Sequence, residues 1–215
     1  MESGSHGLAL NPNQTIVDFQ EEIRNALAAD VVGAAPLLLG AVLRRGNLSA
    51  RIVEVEAYRS LDDSACHAHG KTRMKNMVLF GAPGRSYIYF CYGTHWMLNI
   101  SAHSAGDAAG ILIRAAEPLS GIETFRERRP KAHKDTDLLS GPGKLATAFG
   151  ITNEDNDLDL LSASSPLRIE SGERSTHVLV GPRVGIAIGK AHDFPWRFAD
   201  GEKLRWVSRP HNFEV

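Results

Sequence analysis

Cysteine is scarce in this chain of 215 residues: Cys66 and Cys91 are the only two. A disulfide scaffold is therefore not expected, and the usage suits a reducing compartment. Long hydrophobic runs are missing too. The longest uncharged apolar stretch, Val31–Leu43, contains Pro36 and falls short of the ~20 residues a membrane-spanning helix needs. The opening MESGSHGLAL has no basic segment leading into an apolar run, so residues 1–15 read as a disordered tail or expression remnant rather than a secretion signal. A soluble cytoplasmic protein is the expectation. No CxxC, HExxH, P-loop, GxGxxG or GxSxG occurs, which leaves the common zinc, nucleotide and serine-hydrolase motifs without a foothold. Cys66-His67-Ala68-His69-Gly70 is the one metal-like run, and it lacks the three or four spaced ligands of a zinc site. No metal and no cofactor are expected.

What is present is enough for one domain. At 23.4 kDa and 43% hydrophobic residues, the chain can bury a core without staples. The formal net charge of −1 conceals an uneven distribution: residues 64–134 hold ten basic residues against four acidic ones. Lys71, Arg73, Lys75 and Arg85 lie in this block, and FRERRPKAHK (Phe125–Lys134) closes it. Such a block can neutralise phosphates in an otherwise neutral protein, although a solvated helix end and loop would carry the same charges.

The hydrophobic spacing changes along the chain. Ile16, Phe19, Ile23 and Leu27 recur at helical intervals, predicting a helix over 16–28 with Thr15 as its cap. Asp30 would cap a second helix reaching Leu39, with Gly40 ending it. Strand patterns follow at Leu43–Arg45 and Ala50–Tyr58, around Gly46-Asn47, and at Ser86–Tyr92 and Trp96–Ser101, around Gly93. Further strands are predicted at Ile111–Ala115, Leu167–Ile169 and Arg183–Ile188, and helices at Gly121–Arg128 and Lys144–Phe149. The expected architecture is a single α+β domain over residues 16–215. A curved, mostly antiparallel sheet would carry flanking helices and a protruding hairpin.

Four stretches bear chemically informative residues. In Glu54-Val-Glu-Ala-Tyr58, strand alternation places Glu54, Glu56 and Tyr58 on one face. Buried carboxylates there are costly unless paired or useful, whereas a solvated face would tolerate them. Ser86–Gly93 holds Tyr87, Tyr89 and Tyr92, three of the four tyrosines. Tyrosine is a good strand former, but Tyr92 falls at the hairpin tip, where an aromatic can act as a wedge between bases. Arg114, within Ile-Leu-Ile-Arg-Ala-Ala, demands an acid partner, and Glu54 or Glu56 is the natural one, whether for structure or for chemistry. Ser140-Gly-Pro-Gly-Lys144 before a helix offers amides and a lysine to a phosphate.

Taken together and in this order, these stretches resemble the alkyladenine (3-methyladenine) DNA glycosylase family in its bacterial form. LLLGAVLRR, ARIVEVEAY, DDSACHAHG, RSYIYFCYGTHWMLNIS, GILIRAAEPLSG, LLSGPGKL and GPRVGIAIG carry the resemblance, from Leu37 to Gly189. It implies that Glu56 is the catalytic base and Arg114 its orienting partner. Tyr58 and His67 would be walls of the base pocket, with Tyr89 stacking opposite. Tyr92 would fill the gap left by a flipped nucleotide, and Asn99 would exclude the 2-amino group of guanine. Arg73, Lys75 and Lys144 would contact phosphates. Thr94 and His95 at the hairpin tip depart from the family, where bulkier residues are expected.

The implied activity is that of a monofunctional glycosylase in base excision repair. It would flip out alkylated or deaminated purines (3-methyladenine, 7-methylguanine, hypoxanthine, ethenoadenine) and hydrolyse the N-glycosidic bond with a Glu-activated water. The implied partner is double-stranded DNA bearing such a purine, met by a monomer at the nucleoid, with no membrane involved. Two rivals share part of the pattern. A non-catalytic nucleic-acid-binding module would not need Glu56 beside Arg114, and a small-molecule N-glycoside hydrolase would not need Tyr92 or the lysines.

Overall fold

The computed structural model of the protein describes residues 12–71, 78–91, 93–104 and 107–213. Helix α1 (Pro12–Ala29) opens it and turns Phe19, Ile23 and Leu27 into the core at helical spacing. The helix begins at Pro12, so Thr15 lies inside it and not at the cap. Asp30 does cap: its carboxylate accepts from the N–H groups of Val32 and Gly33 at the start of α2 (Val31–Ala34). That helix was expected to reach Leu39. Pro36 lacks an N–H, and the chain instead tightens into a 3-10 turn over Ala35–Leu38. Gly40 then reverses direction at φ +91°, where a Cβ would sit 1.9 Å from the carbonyl oxygen of Glu173.

The sheet comprises β1 (Val42–Arg45), β2 (Leu48–Arg59), β3 (Ser86–Cys91), β4 (His95–Ser104), β5 (Asp107–Ser120), β6 (Arg168–Glu170), β7 (Val178–Gly181) and β8 (Arg197–Asp200). Its order is β3-β4-β5-β2-β1-β6, every described pairing is antiparallel, and β8 joins β2 and carries β7. The 12-residue β2 is the hub. Its first half pairs with β1, Glu54–Glu56 pair with β8, and β5 runs along its other side. The predicted strand at Arg183–Ile188 is a loop; the strands in that region are β7 and β8, which flank it. Arg183 is diverted from the sheet because its guanidinium is committed elsewhere, as described below.

Alternation divides the sheet's faces. Val55, Ala57, Ile88, Leu98, Ile100, Ile111 and Ile113 point into the core, joined by Leu145 and Phe149 of α4 (Pro142–Phe149). Phe125 of α3 (Ile122–Arg128) packs on Phe149 with ring centroids 5.0 Å apart. The opposite face carries Glu54, Glu56 and Tyr58, together with Tyr87, Asn99 and Leu112 opposite them in register. The result is a single α+β domain built on a curved antiparallel sheet with flanking helices. Among the described residues, no helix is long and apolar enough to cross a membrane.

His95, at the start of β4, seats on Gly143 of α4. A Cβ on Gly143 would lie 2.7 Å from the imidazole Cγ. Gly143→Ala should therefore destabilise the protein by about 1–3 kcal/mol through overpacking. In a His95→Gly background, which also removes the His95 Cβ that would lie 2.8 Å from the new methyl group, the same substitution should stabilise by about 0.5–1 kcal/mol, the ordinary helix preference for alanine. Urea midpoints of the two pairs check the change of sign.

Candidate active site

Two irregularities in the β2–β5 ladder aim the charged residues. Val53 is the extra residue on β2 between the pairs Ile52–Ala116 and Glu54–Ala115, and Arg114 is the extra one on β5 before Val55–Ile113. Bulges of this kind redirect a side chain at little cost to the ladder. Arg114, only 6% exposed, is swung over the face that carries both glutamates, each with no exposed surface. Its Nε donates to Glu54 Oε1 at 2.9 Å, its Nη1 to Glu56 Oε2 at 3.2 Å and its Nη2 to Ser208 Oγ at 3.2 Å. The open question of which glutamate partners Arg114 resolves as both.

The two carboxylates differ in company. Glu54 also accepts from Arg197 Nε at 2.8 Å and from the N–H and Oγ of Ser208 at 2.7 and 2.9 Å. Burial pushes the Glu54 carboxyl upward, but the charges of Arg114 and Arg197 and the Ser208 hydrogen bonds outweigh it and hold it below the usual range. Glu56 takes one N–H, from Val184 at 2.7 Å, on Oε1, and on Oε2 the Tyr58 hydroxyl at 2.7 Å beside Arg114. Burial, reinforced by the negative charge of Glu56 and the hydrogen bond to it, keeps the Tyr58 phenol protonated far above its usual pKa. Arg114, despite its burial, is held in its charged form by Glu56 and Glu54.

Beside this cluster lies a cavity of about 660 Å³ bordered by Tyr58, His67, Tyr87, Tyr89, Asn99 and Arg114, with Cys66, Met97, Leu112 and Val184 among its other walls. Tyr58 and Tyr89 stand on strands three spacings apart, about 14 Å on a flat sheet. His67 and Tyr89 were expected on opposite sides of a base. They instead touch edge to face, with centroids 4.3 Å apart, and so form one wall; a ring sandwiched between them would need about twice that separation. Tyr87 completes the wall, 5.6 Å from Tyr89 and sharing a 3.2 Å hydrogen bond with His67 Nδ1. Burial, then the nearby Lys71, lowers the His67 pKa, so this wall is neutral at pH 7. Asn99 is 5% exposed, and its Nδ2 donates to the Tyr87 carbonyl at 3.0 Å, which pins the amide against the cavity.

The structure thus gathers Tyr58, His67, Tyr89, Asn99 and Arg114 around one space, with Glu56 fully buried behind that wall and hydrogen-bonded to Tyr58, Arg114 and Val184 of its lining. Lys144 stands near its rim, donating to Ser140 Oγ at 3.3 Å, while its neighbour Pro142 lines the cavity. Arg73, Lys75 and Tyr92 lie outside the described residues. The sequence reading missed Tyr87 as a partner of His67, and also Ser208, Arg197, Asp63 and Arg183. Arg183 and Arg197 carried the same signal as Arg114, a guanidinium among apolar neighbours. A serine's bond to Glu54 from 154 positions away has no sequence signature.

Glu54→Gln leaves two buried guanidinium groups short of a counter-charge and should cost about 3–5 kcal/mol at pH 7. Because the folded-state pKa of Glu54 lies below its ordinary value, the stability it contributes is present at neutral pH. That stability is lost as pH falls below the ordinary glutamate value of 4.5 and on through the folded pKa. The variant should therefore show a flatter loss of stability in acid than the wild type, measured as denaturant midpoints from about pH 7 to 3.

Similarity to known proteins agrees with this geometry. The family model for methylpurine-DNA glycosylase (MPG) matches residues 25–203. An Arabidopsis thaliana protein named DNA-3-methyladenine glycosylase is 43% identical over 185 residues, covering 85% of this chain and 72% of the relative. A Rhodopseudomonas palustris protein, whose name assigns it provisionally to the 3-methyladenine DNA glycosylases, is 43% identical over 183 residues, 85% of each chain. A Nocardia farcinica protein named in the same provisional way is 40% identical over 180 residues, covering 80% of this chain and 84% of its own length. With an arginine-bridged glutamate pair beside an aromatic cavity, and a family match over most of its length, the chain belongs to the methylpurine-DNA glycosylase family.

Proposed function

We propose that the protein is a monofunctional DNA glycosylase that extrudes alkylated purines into the aromatic cavity and hydrolyses their N-glycosidic bond with water held by Glu56. The observation that carries this reading is the Glu56 carboxylate, fully buried and fixed by Tyr58, Arg114 and Val184 beside a cavity large enough for a base. A carboxylate offers about four acceptor positions. Three are occupied, which leaves one for a water. In the reaction that water's oxygen bonds to the sugar C1′, its proton passes to Glu56, and the electrons of the C1′–N bond leave with the purine. The developing sugar cation is stabilised by the carboxylate, as in glycoside hydrolysis. An alkylated purine is cationic and departs as a neutral base.

The substrate must leave the duplex first, at a few kcal/mol of unstacking, which favours damaged or mispaired bases. The basic segment and Lys144 suit phosphate contacts with double-stranded DNA, and Tyr92 would occupy the vacated gap. Arg73 and Lys75 are assigned to the same backbone contacts. We assign the protein as a monomer working at the nucleoid. The neutral lesions hypoxanthine and ethenoadenine fit the same space, with Asn99 set against a guanine 2-amino group.

Glu56→Gln keeps the shape and removes the base. Base release from a duplex holding one 3-methyladenine or 7-methylguanine should fall by more than about 100-fold while lesion binding persists. Activity within a few-fold of wild type would rule out the assignment. The same assay separates the rivals: a binding module releases no base from any DNA, and a small-molecule hydrolase cleaves nucleosides but not the duplex.

Asn99→Ala should open the cavity to the 2-amino group, so guanine release should rise above background, more from a G·T mismatch than from a G·C pair. Unchanged guanine release with intact activity on hypoxanthine would show that Asn99 is not the gate.

A further inference from the structure

Arg183 is buried to 5% exposure, and both terminal nitrogens of its guanidinium are engaged, while its buried Nε has no hydrogen-bond partner among the described residues. Nη1 donates to Asp63 Oδ2 at 2.5 Å and to the Ala57 carbonyl at 3.0 Å. Nη2 donates to Asp63 Oδ1 at 2.8 Å and to the Ala191 carbonyl at 3.0 Å. Neither side chain of the Asp63–Arg183 pair has exposed surface. The same guanidinium lies 4.6 Å from the centre of the Tyr58 ring, with Trp196 at 5.5 Å and Phe194 at 6.0 Å. Tyr58 therefore borders the cavity as a ring already occupied by a cation. Across the cavity, the Tyr89 ring packs on Tyr87 and the edge of His67, and among the described residues no cation is stacked on its face.

We infer that Arg183, through its contact with Tyr58, is a specificity-determining residue that makes the Tyr58 wall a poor seat for cationic bases, so that preference for them resides in the Tyr89 wall. The inference rests on the glycosylase reading above. A cation is drawn to the face of an aromatic ring by its quadrupole. When a guanidinium holds one face, its field opposes a second cation on the other, while a neutral base stacks there unhindered. Asp63, paired with the same guanidinium, moderates this field. Arg183 also has a positioning consequence. It ties the loop carrying Val184, whose N–H holds Glu56, to Ala57 of β2 and to the Asp63 segment that leads into His67. Loss of that tie slows the excision of every base alike, whereas loss of the charge changes the ratio between bases.

The test compares duplexes carrying 7-methylguanine, which is cationic, with duplexes carrying hypoxanthine, which is neutral. Binding and single-turnover release are both measured for the wild type, Arg183→Lys, and the double variant Asp63→Asn with Arg183→Met. Arg183→Lys keeps the charge and should lower both lesions together, leaving their ratio unchanged. The double variant removes both charges and should raise the ratio of 7-methylguanine to hypoxanthine by about 3- to 10-fold, the scale of one cation–π contact. A ratio equal to wild type in the folded double variant would overturn the inference. Should that variant fail to fold, the rings themselves decide. Replacing Tyr89 by Leu should penalise 7-methylguanine binding more than hypoxanthine binding. Tyr58→Leu relative to Tyr58→Phe should penalise both equally, and a selective loss of 7-methylguanine there would overturn the inference. If the wild type neither binds nor excises either lesion, it is the glycosylase reading that fails.

Discussion

The bridge of Arg114 between Glu54 and Glu56 is the interaction on which the rest of the structure depends. A guanidinium and two carboxylates have been taken out of water, and each would be expensive alone. They are tolerable because every one is hydrogen-bonded in a planar, directional arrangement that arginine can offer and lysine cannot. Glu54 is the structural member: it faces Arg114, Arg197 and Ser208, and it absorbs much of the positive charge. Glu56 is thereby left with fewer donors and with the cavity beside it. Two acids of the same type, two residues apart on one strand, come to different duties through their neighbours.

The fold is arranged to support that bridge. Compensating bulges at Val53 and Arg114 let β2 and β5 stay paired while both acids and the arginine share a face. β8 closes on β2 beside the glutamates and delivers Arg197, and the C-terminal segment returns with Ser208. Removing water from this face increases the strength of each hydrogen bond within it and raises the penalty for any partner lost. Stability and activity are therefore coupled at Glu54, Arg197 and Ser208, none of which borders the cavity.

Much of this was legible in the sequence. Period-two alternation put Glu54, Glu56 and Tyr58 on one face, and the cost of burying a charge demanded a partner for Arg114. What alternation could not supply was the register between strands distant in sequence. That register depends on bulges, and a one-residue slip would have turned Arg114 to the opposite face. The Arg183–Ile188 loop was misread for a related reason. Its apolar pattern suits a strand, but Arg183 is captured by Asp63, 120 positions away, and the chain leaves the sheet to reach it. The stacking partners were identified by residue type, yet their sides were not, because whether His67 and Tyr89 touch depends on how the Asp62–Gly70 segment folds back onto β3.

The central claim is that Glu56 holds the attacking water against a base lodged between Tyr58 and the His67–Tyr89 wall. A crystal structure of the protein with a duplex carrying an uncleavable analogue of an alkylated purine nucleotide tests it most directly. The account predicts the purine between those two walls, with a water about 2.6–3.2 Å from a Glu56 carboxylate oxygen and in line with C1′. A base bound outside the cavity, or one bound inside it with C1′ turned away from Glu56, would contradict the account.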